Sequence, residues 1–101
     1  MKKMINIEGD SLTANVESAL TAVAAADLEG KLRVAADDEK IKNMYIDLKN
    51  VQYVSSAGLR VFLSMHRLMK ERDGRFVLKN VNEEVSGIIR LTGFEKIFEV
   101  E

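Results

Sequence analysis

The stretch that decides the fold is residues 43–63, NMYIDLKNVQYVSSAGLRVFL. Its first part, Met44 to Leu48, is short and mostly apolar, which predicts a central strand covered on both faces. A polar connector leads into a Ser-Ser-Ala-Gly turn, and a helix is predicted from Ala57 to Arg72. Ser55 and Ser56 therefore belong at the carboxyl end of a strand and the amino end of a helix, where open α/β sheets usually bind ligands and partners.

The residues before this stretch predict a hairpin and a helix. Loose alternation over Lys3–Ile7 and clear alternation over Ser11–Val16 indicate two half-buried strands at one edge of a sheet. Alanine, leucine, glutamate and lysine dominate residues Ala19–Ala36, which predicts a helix with Thr21 as a plausible N-cap. Its apolar stripe consists of Val23, Ala24, Leu28, Leu32 and Ala35.

The residues after it predict one more crossover. Phe76–Leu78 is a third core strand, and Asn82 caps a helix that runs through Thr92 and ends at Gly93. The apolar residues of that helix are Val85, Ile88, Ile89 and Leu91, and Ile97–Val100 forms a last short strand. The order ββαβαβαβ predicts an α/β sandwich with a mostly parallel sheet of four to five strands and helices mainly on one face.

Composition excludes several classes of protein. A chain of 101 residues predicts a single domain spanning residues 1–101. Fifteen basic and sixteen acidic residues give a net charge of −1, which argues against nucleic-acid binding through bulk electrostatics. No apolar run is long enough to cross a bilayer, the first ten residues do not resemble a signal peptide, and cysteine is absent. These features predict a cytoplasmic protein without membrane insertion.

No set of residues predicts catalysis, a metal or a cofactor. A serine nucleophile needs a base within hydrogen-bond reach, but the single histidine, His66, lies ten residues beyond Ser56 on the same helix. At the rise of an α-helix this separation is roughly 15 Å. Asp37, Asp38 and Glu39 lack the spacing of a calcium loop, and no glycine-rich phosphate loop is present. The chain is therefore predicted not to be an enzyme.

Two surfaces of the second helix follow from a rotation of about 100° per residue. The arc that faces the sheet contains Leu59, Phe62, Leu63, His66 and Met69. Val61 and Leu68 lie outside this arc. They are either exposed apolar contacts for a partner or residues that pack against a neighbouring helix.

The serine pair allows two interpretations. A serine just ahead of a helix is usually an N-cap whose oxygen accepts a backbone N–H. Alternatively, one serine is phosphorylated, because first-turn N–H groups and the helix dipole tolerate the negative charge. Such a modification would change the affinity of a partner and leave the fold intact.

At this point the residues resemble a known family. Residues 47–62, DLKNVQYVSSAGLRVF, resemble the signature of STAS domains, and more closely that of bacterial anti-sigma factor antagonists. The resemblance extends to Ala19–Thr21 at the start of the first helix, to Asp73–Leu78, and to the ending Leu91–Phe98. It therefore covers nearly the whole chain.

The resemblance implies a mechanism of partner switching. The unphosphorylated antagonist binds an anti-sigma factor and frees the sigma factor, and the anti-sigma factor is typically a serine kinase with a GHKL-type ATP site. A PP2C-type phosphatase reverses the phosphorylation. Aligned on Gly58, the family pattern places the phosphoacceptor at Ser56, with Ser55 as second choice. Ser55 and Thr21 stand where the family has acidic residues.

The partner surface implied by the resemblance lies around this turn. It comprises Thr21, Ser55, Ser56, Ala57, Gly58, Leu59, Arg60 and Val61. The alternative function is a STAS docking subunit, not phosphorylated, in an ABC lipid-transport system or another transporter assembly.

Overall fold

The computed structural model describes residues 4–101, so the predicted start of the first strand at Lys3 lies outside the described residues. Its helices and strands follow the predicted order. They are β1 (Ile5–Glu8), β2 (Ser11–Asn15), α1 (Ala22–Ala35), β3 (Asn43–Asp47), α2 (Ser56–Glu71), β4 (Arg75–Lys79), α3 (Glu83–Leu91) and β5 (Glu99–Val100), with a 3₁₀ turn at Phe94–Lys96 before the last strand.

The strands form one five-stranded sheet in the order β1-β2-β3-β4-β5. β1 and β2 pair as an antiparallel hairpin at one edge, and the remaining pairs are parallel. Each parallel pair is connected through a helix, which is the usual crossover between neighbouring parallel strands. The predicted α/β architecture with a mixed, mostly parallel sheet is confirmed.

The sheet has one buried and one more open face. Leu12, Met44 and Phe76 lie in register on neighbouring strands and are buried in the same apolar cluster as α1 and α2. On the other face, Thr13 and Tyr45 are only partly buried. The prediction that the central strand is covered on both faces is therefore wrong, because the helices cover its Met44 face and leave the Tyr45 face with more access to solvent.

The second helix packs against the first helix as well as the sheet. Phe62 and Met69 are buried on the predicted sheet-facing arc, and His66 is partly buried there. Val61 is also buried, at 5% exposure, and lines the interface with α1. Leu68 is partly buried against the core. Of the two interpretations of Val61, packing against a neighbouring helix is confirmed and an exposed contact is wrong.

The start of the first helix differs from the prediction. The helix begins at Ala22 with Thr21 as its N-cap, and not at Ala19. Leu20 forms a parallel bridge with Val54, which holds the chain extended up to the cap. Val23 was predicted to lie in the apolar stripe but is 82% exposed, whereas Ala25 is buried.

The end of the chain also differs in detail. Asn82 caps α3 through the backbone N–H of Val85 at 2.9 Å, and Gly93 adopts a φ of 80°, as a helix stop requires. Leu91, one of the apolar residues of this helix, is 90% exposed. The last strand begins at Glu99 and not at Ile97, because the 3₁₀ turn occupies the preceding residues.

Candidate functional site

The extended chain before α1 lies beside the extended chain before α2. The N–H of Leu20 donates to the carbonyl of Tyr53, and the N–H of Ser55 donates to the carbonyl of Leu20, both at 2.9 Å. These two bonds define the bridge between Leu20 and Val54. The N-termini of the two helices therefore begin side by side, at the same edge of the molecule.

Each of these helices starts with a hydroxyl cap. Thr21 Oγ1 accepts the N–H of Ala24 at 3.2 Å, and Ser55 Oγ accepts the N–H of Gly58 at 3.1 Å. The side-chain oxygen in each case satisfies a first-turn N–H that has no partner within the helix. The capping interpretation is therefore confirmed for Ser55, whose hydroxyl caps the N-terminus of α2.

The hydroxyl of Ser56 does not cap the helix. Ser56 is the first residue of α2 and is exposed, whereas Ser55 is partly buried. Within residues 4–101 no hydrogen bond involves the Ser56 side chain. Of the two adjacent serines, Ser56 is thus the one whose oxygen is free to react.

Gly58 allows the two chain segments to approach each other. A Cβ at this position would lie 2.7 Å from Val54 Cγ1 and 3.3 Å from Leu20 Cβ. The first of these distances is shorter than side chains tolerate, so a larger residue would push the bridge away from α2. The glycine of the Ser-Ser-Ala-Gly turn therefore allows the first turn of α2 to pack closely against the bridge.

A shallow groove separates the two helices beside Ser56. Its volume is about 340 Å³, and small side chains form most of its lining, which leaves room for a side chain from another molecule. Glu29 on α1 and Arg60 on α2 are its charged residues. The lining comprises Ala22, Ala25, Ala26, Glu29, Ala57, Arg60, Val61 and Ser64.

The predicted partner residues divide into two groups. Thr21, Ser56 and Arg60 are exposed, and Ser55 and Ala57 are partly buried, so these five are available to a partner. The other three predicted contacts, Gly58, Leu59 and Val61, are buried and support the surface from beneath. Their burial has a physical reason: α2 contacts both α1 and the sheet, so most of its circumference near the turn is enclosed. Contact of these three residues with a partner stays a prediction.

The partner surface predicted from the sequence did not include two exposed apolar residues. Val23, in the first turn of α1, is 82% exposed, and Tyr53, which precedes the bridge, is 50% exposed. We call Thr21, Val23, Tyr53, Ser56 and Arg60 the serine surface. Tyr53 could have been identified from its place in a polar connector, but the exposure of Val23 depends on where α1 begins.

The electrostatics of the serine surface favour an anion. The first turns of α1 and α2 contain no acidic residue, so nothing there opposes the partial positive charge of either helix N-terminus. In α3, by contrast, Glu83 and Glu84 occupy the first turn. A phosphate at Ser56 would meet no carboxylate within its own helix turn.

His66 lies away from the serine surface, in an aromatic cluster. Its ring is 6.3 Å from that of Phe76 and 6.0 Å from that of Phe98, and its buried Nδ1 has no hydrogen-bond partner among the described residues. Burial, followed by the charges of Lys70 and Arg67, lowers the pKa of His66. His66 is thus a structural residue and not a base for Ser56.

Residues 4–101 have neither a cluster of metal-binding side chains nor a membrane-spanning helix. They contain no group of three or more histidine, cysteine or acidic residues placed to hold a metal ion. None of their helices combines the length and apolar character that crossing a membrane requires.

Comparison with known proteins gives a consistent result. The family model of the STAS domain matches residues 2–101. BtrV of Bordetella bronchiseptica, a candidate anti-sigma factor antagonist, is 31% identical over 96% of this chain and 82% of its own length. The anti-sigma-B factor antagonist of Bacillus subtilis is 28% identical over 90% of this chain and 82% of its own length.

Solved structures show the same fold. A candidate anti-sigma factor antagonist from Thermotoga maritima superposes with a TM-score of 0.87 at 19% identity, covering 95% of this chain and 82% of that one. SpoIIAA of Bacillus, solved in its phosphorylated form, gives a TM-score of 0.75 at 13% identity, covering 96% of this chain and 88% of that one.

Proposed function

The chain belongs to the STAS-domain family of anti-sigma factor antagonists, non-enzymatic regulators, and on that premise we propose that phosphorylation of Ser56 switches its binding to an anti-sigma factor. The unphosphorylated protein binds an anti-sigma factor that is also a GHKL-type serine kinase, and so frees the sigma factor. A PP2C-type phosphatase restores the unphosphorylated form. The proposal places residues 1–101 in the cytoplasm as one domain without a cofactor.

One observation carries the choice of Ser56. Ser55 Oγ is engaged as the cap of α2, whereas Ser56 is exposed and its hydroxyl is unbonded within residues 4–101. A kinase must bring the acceptor oxygen in line with the γ-phosphorus of ATP, which an engaged and partly buried hydroxyl opposes. The geometry thus favours Ser56 over its neighbour on grounds independent of family resemblance.

The chemical step is a phosphoryl transfer. Ser56 Oγ forms a bond to the γ-phosphorus of ATP while the bond from that phosphorus to the bridging oxygen of ADP breaks. The hydroxyl proton passes to a base of the kinase, and ADP leaves. This chain contributes only the acceptor and its positioning, through the Ser55 cap and the packing of Gly58.

The product changes the serine surface and not the fold. A phosphoserine carries a charge of about −1.5 to −2 at pH 7. At the first residue of α2 the charge lies near the helix N-terminus, which tolerates it. The same charge lies among the exposed residues that contact the partner, where desolvation and repulsion oppose binding.

The test is incubation with the cognate GHKL-type serine kinase and ATP, followed by intact-mass measurement. The parent protein should gain one phosphate, and Ser56→Ala should gain none. Ser55→Asn should still gain one, because asparagine caps a helix as well as serine does and so removes the second hydroxyl without loosening α2. A phosphate that survives in Ser56→Ala but not in Ser55→Asn would move the site to Ser55.

The same experiment separates the proposed function from a transporter subunit. An unmodified docking module would remain unphosphorylated and would co-purify with an ATPase and a permease. Release of a sigma factor from its anti-sigma factor by the unphosphorylated protein would support the antagonist function directly.

A further inference from the structure

Arg60 is an uncommitted cation one helical turn beyond Ser56. It is exposed, and within residues 4–101 it forms no ion pair or hydrogen bond. The acidic residue that shares its groove, Glu29, is bound instead by Arg33 at 3.0 Å. The guanidinium of Arg60 is therefore available to another anion.

The helix directs Arg60 towards Ser56. Residues four apart lie on the same face of an α-helix, with Cβ atoms roughly 5–6 Å apart. Long side chains on a helix also lean towards its N-terminus and cover the preceding turn. By this helix geometry, a guanidinium at position 60 is placed to reach the oxygen atoms of a group attached to Ser56 Oγ.

We infer that Arg60 pairs with the phosphate when Ser56 is phosphorylated, and so is withdrawn from the partner surface by the same event that places negative charge there. This inference rests on the proposed function. Before modification the guanidinium is free to bind an acidic or carbonyl group of the anti-sigma factor. After modification the phosphate holds it through charge-assisted hydrogen bonds within one chain.

The pairing has two consequences for the switch. The positive charge of Arg60 partly offsets the negative charge of the phosphate, so the phosphate destabilises the first turn of α2 less. The partner meanwhile loses a cationic contact in addition to meeting a phosphate. Arg60 would thus enlarge the difference in affinity between the two states.

The experiment installs phosphoserine at position 56 during translation, so that no kinase is required, and follows the phosphorus-31 resonance through a pH titration. A paired guanidinium stabilises the dianion, so the second pKa of the phosphate should lie about 0.5 lower in the parent than in Arg60→Ala. About 1 M salt should shrink the difference, since charges on an exposed face are screened.

Arg67→Ala is the matched control. Arg67 is an exposed arginine on the same helix, two turns beyond Arg60, and its removal should leave the phosphate pKa unchanged. Equal pKa values in the parent and in Arg60→Ala would overturn the inference. A phosphate pKa raised as much in Arg67→Ala as in Arg60→Ala would also overturn it, because it would show a general charge effect.

These outcomes are independent of the proposed function. Because phosphoserine is incorporated during translation, the titration reports on Arg60 even if no kinase modifies Ser56 in the cell. Conversely, an absence of kinase-dependent phosphate on Ser56 would defeat the proposed function without altering the titration.

Discussion

The N–H of Ser55 donates to the carbonyl oxygen of Leu20 at 2.9 Å, which ties the start of the second helix to the start of the first. Leu20 immediately precedes the Thr21 cap, and Ser55 is itself the cap of α2. One hydrogen bond thus joins two helix N-termini that are 34 residues apart in the chain. This link places the two helix N-termini of the serine surface beside each other.

The packing of Gly58 should be sensitive to a single methyl group. Gly58→Ala places a Cβ 2.7 Å from Val54 Cγ1, so we expect a loss of about 1–3 kcal/mol in the free energy of unfolding. Urea denaturation followed by circular dichroism measures this.

Gly30→Ala is the control for that substitution. Gly30 is also helical, but a Cβ there meets no atom within 4 Å. Because alanine is the better helix former, this variant should be more stable than the parent by about 0.5–1 kcal/mol. Similar destabilisation of both variants would show that close packing at Gly58 is not the cause.

The two serines should contribute differently to the free energy of unfolding. Ser55→Ala removes the acceptor for the N–H of Gly58 and should cost about 1 kcal/mol. Ser56→Ala removes a hydroxyl without a bond among the described residues and should change the free energy of unfolding by less than about 0.5 kcal/mol. Ser55→Asn should restore the parent value, and the reverse ranking of the two alanine variants would contradict the assignment of the cap.

The titration of His66 should make stability depend on pH. Burial and the charges of Lys70 and Arg67 lower the pKa of His66 in the folded state, whereas the unfolded chain retains the ordinary value of 6.5. Below that value the unfolded state binds a proton that the folded state resists. The contribution to stability is therefore full above pH 6.5 and is lost as the pH falls from 6.5 through the folded-state pKa.

His66→Phe is the matched variant for this titration. It keeps a ring against Phe76 and Phe98 but cannot titrate. The free energy of unfolding, measured by urea denaturation between pH 8 and 5, should fall more steeply in the parent than in His66→Phe. Parallel pH profiles would show that His66 does not titrate between these limits.

Val23 should contribute to partner binding where another exposed valine of the same helix does not. Val23 and Val34 are 82% and 80% exposed and occupy opposite ends of α1. Val23→Ser should weaken binding to the anti-sigma factor by about 10-fold, since it removes an apolar contact of the serine surface. Val34→Ser should leave the affinity unchanged in isothermal titration calorimetry, and equal losses in both variants would count against the serine surface.

The alternation of residue types was sufficient to predict the fold. Period-two patterns identified the hairpin, and apolar spacing identified three helices in the correct order, because both patterns record which side of an element is buried. The helix caps at Thr21 and Asn82 were also visible, since capping depends on residues three apart in the chain.

Long-range pairing could not be predicted in the same way. The bridge between Leu20 and Val54 joins residues far apart in sequence, and it holds the chain extended up to the Thr21 cap, so that α1 begins at Ala22 and not at Ala19. The position of Val61 stayed open between an exposed contact and packing against a neighbouring helix, because a single arc does not show that α2 has two neighbours. The free hydroxyl of Ser56 likewise became apparent only when Ser55 was seen to be the cap.

The most direct test of the central claim is the affinity of the anti-sigma factor for the protein carrying phosphoserine at position 56, measured by isothermal titration calorimetry beside the unmodified protein. We predict that the phosphate weakens binding on the order of 100-fold or more, because a charged group must be desolvated within the contact surface. Its circular dichroism spectrum should match that of the unmodified protein. Equal affinity of the two forms would contradict the account.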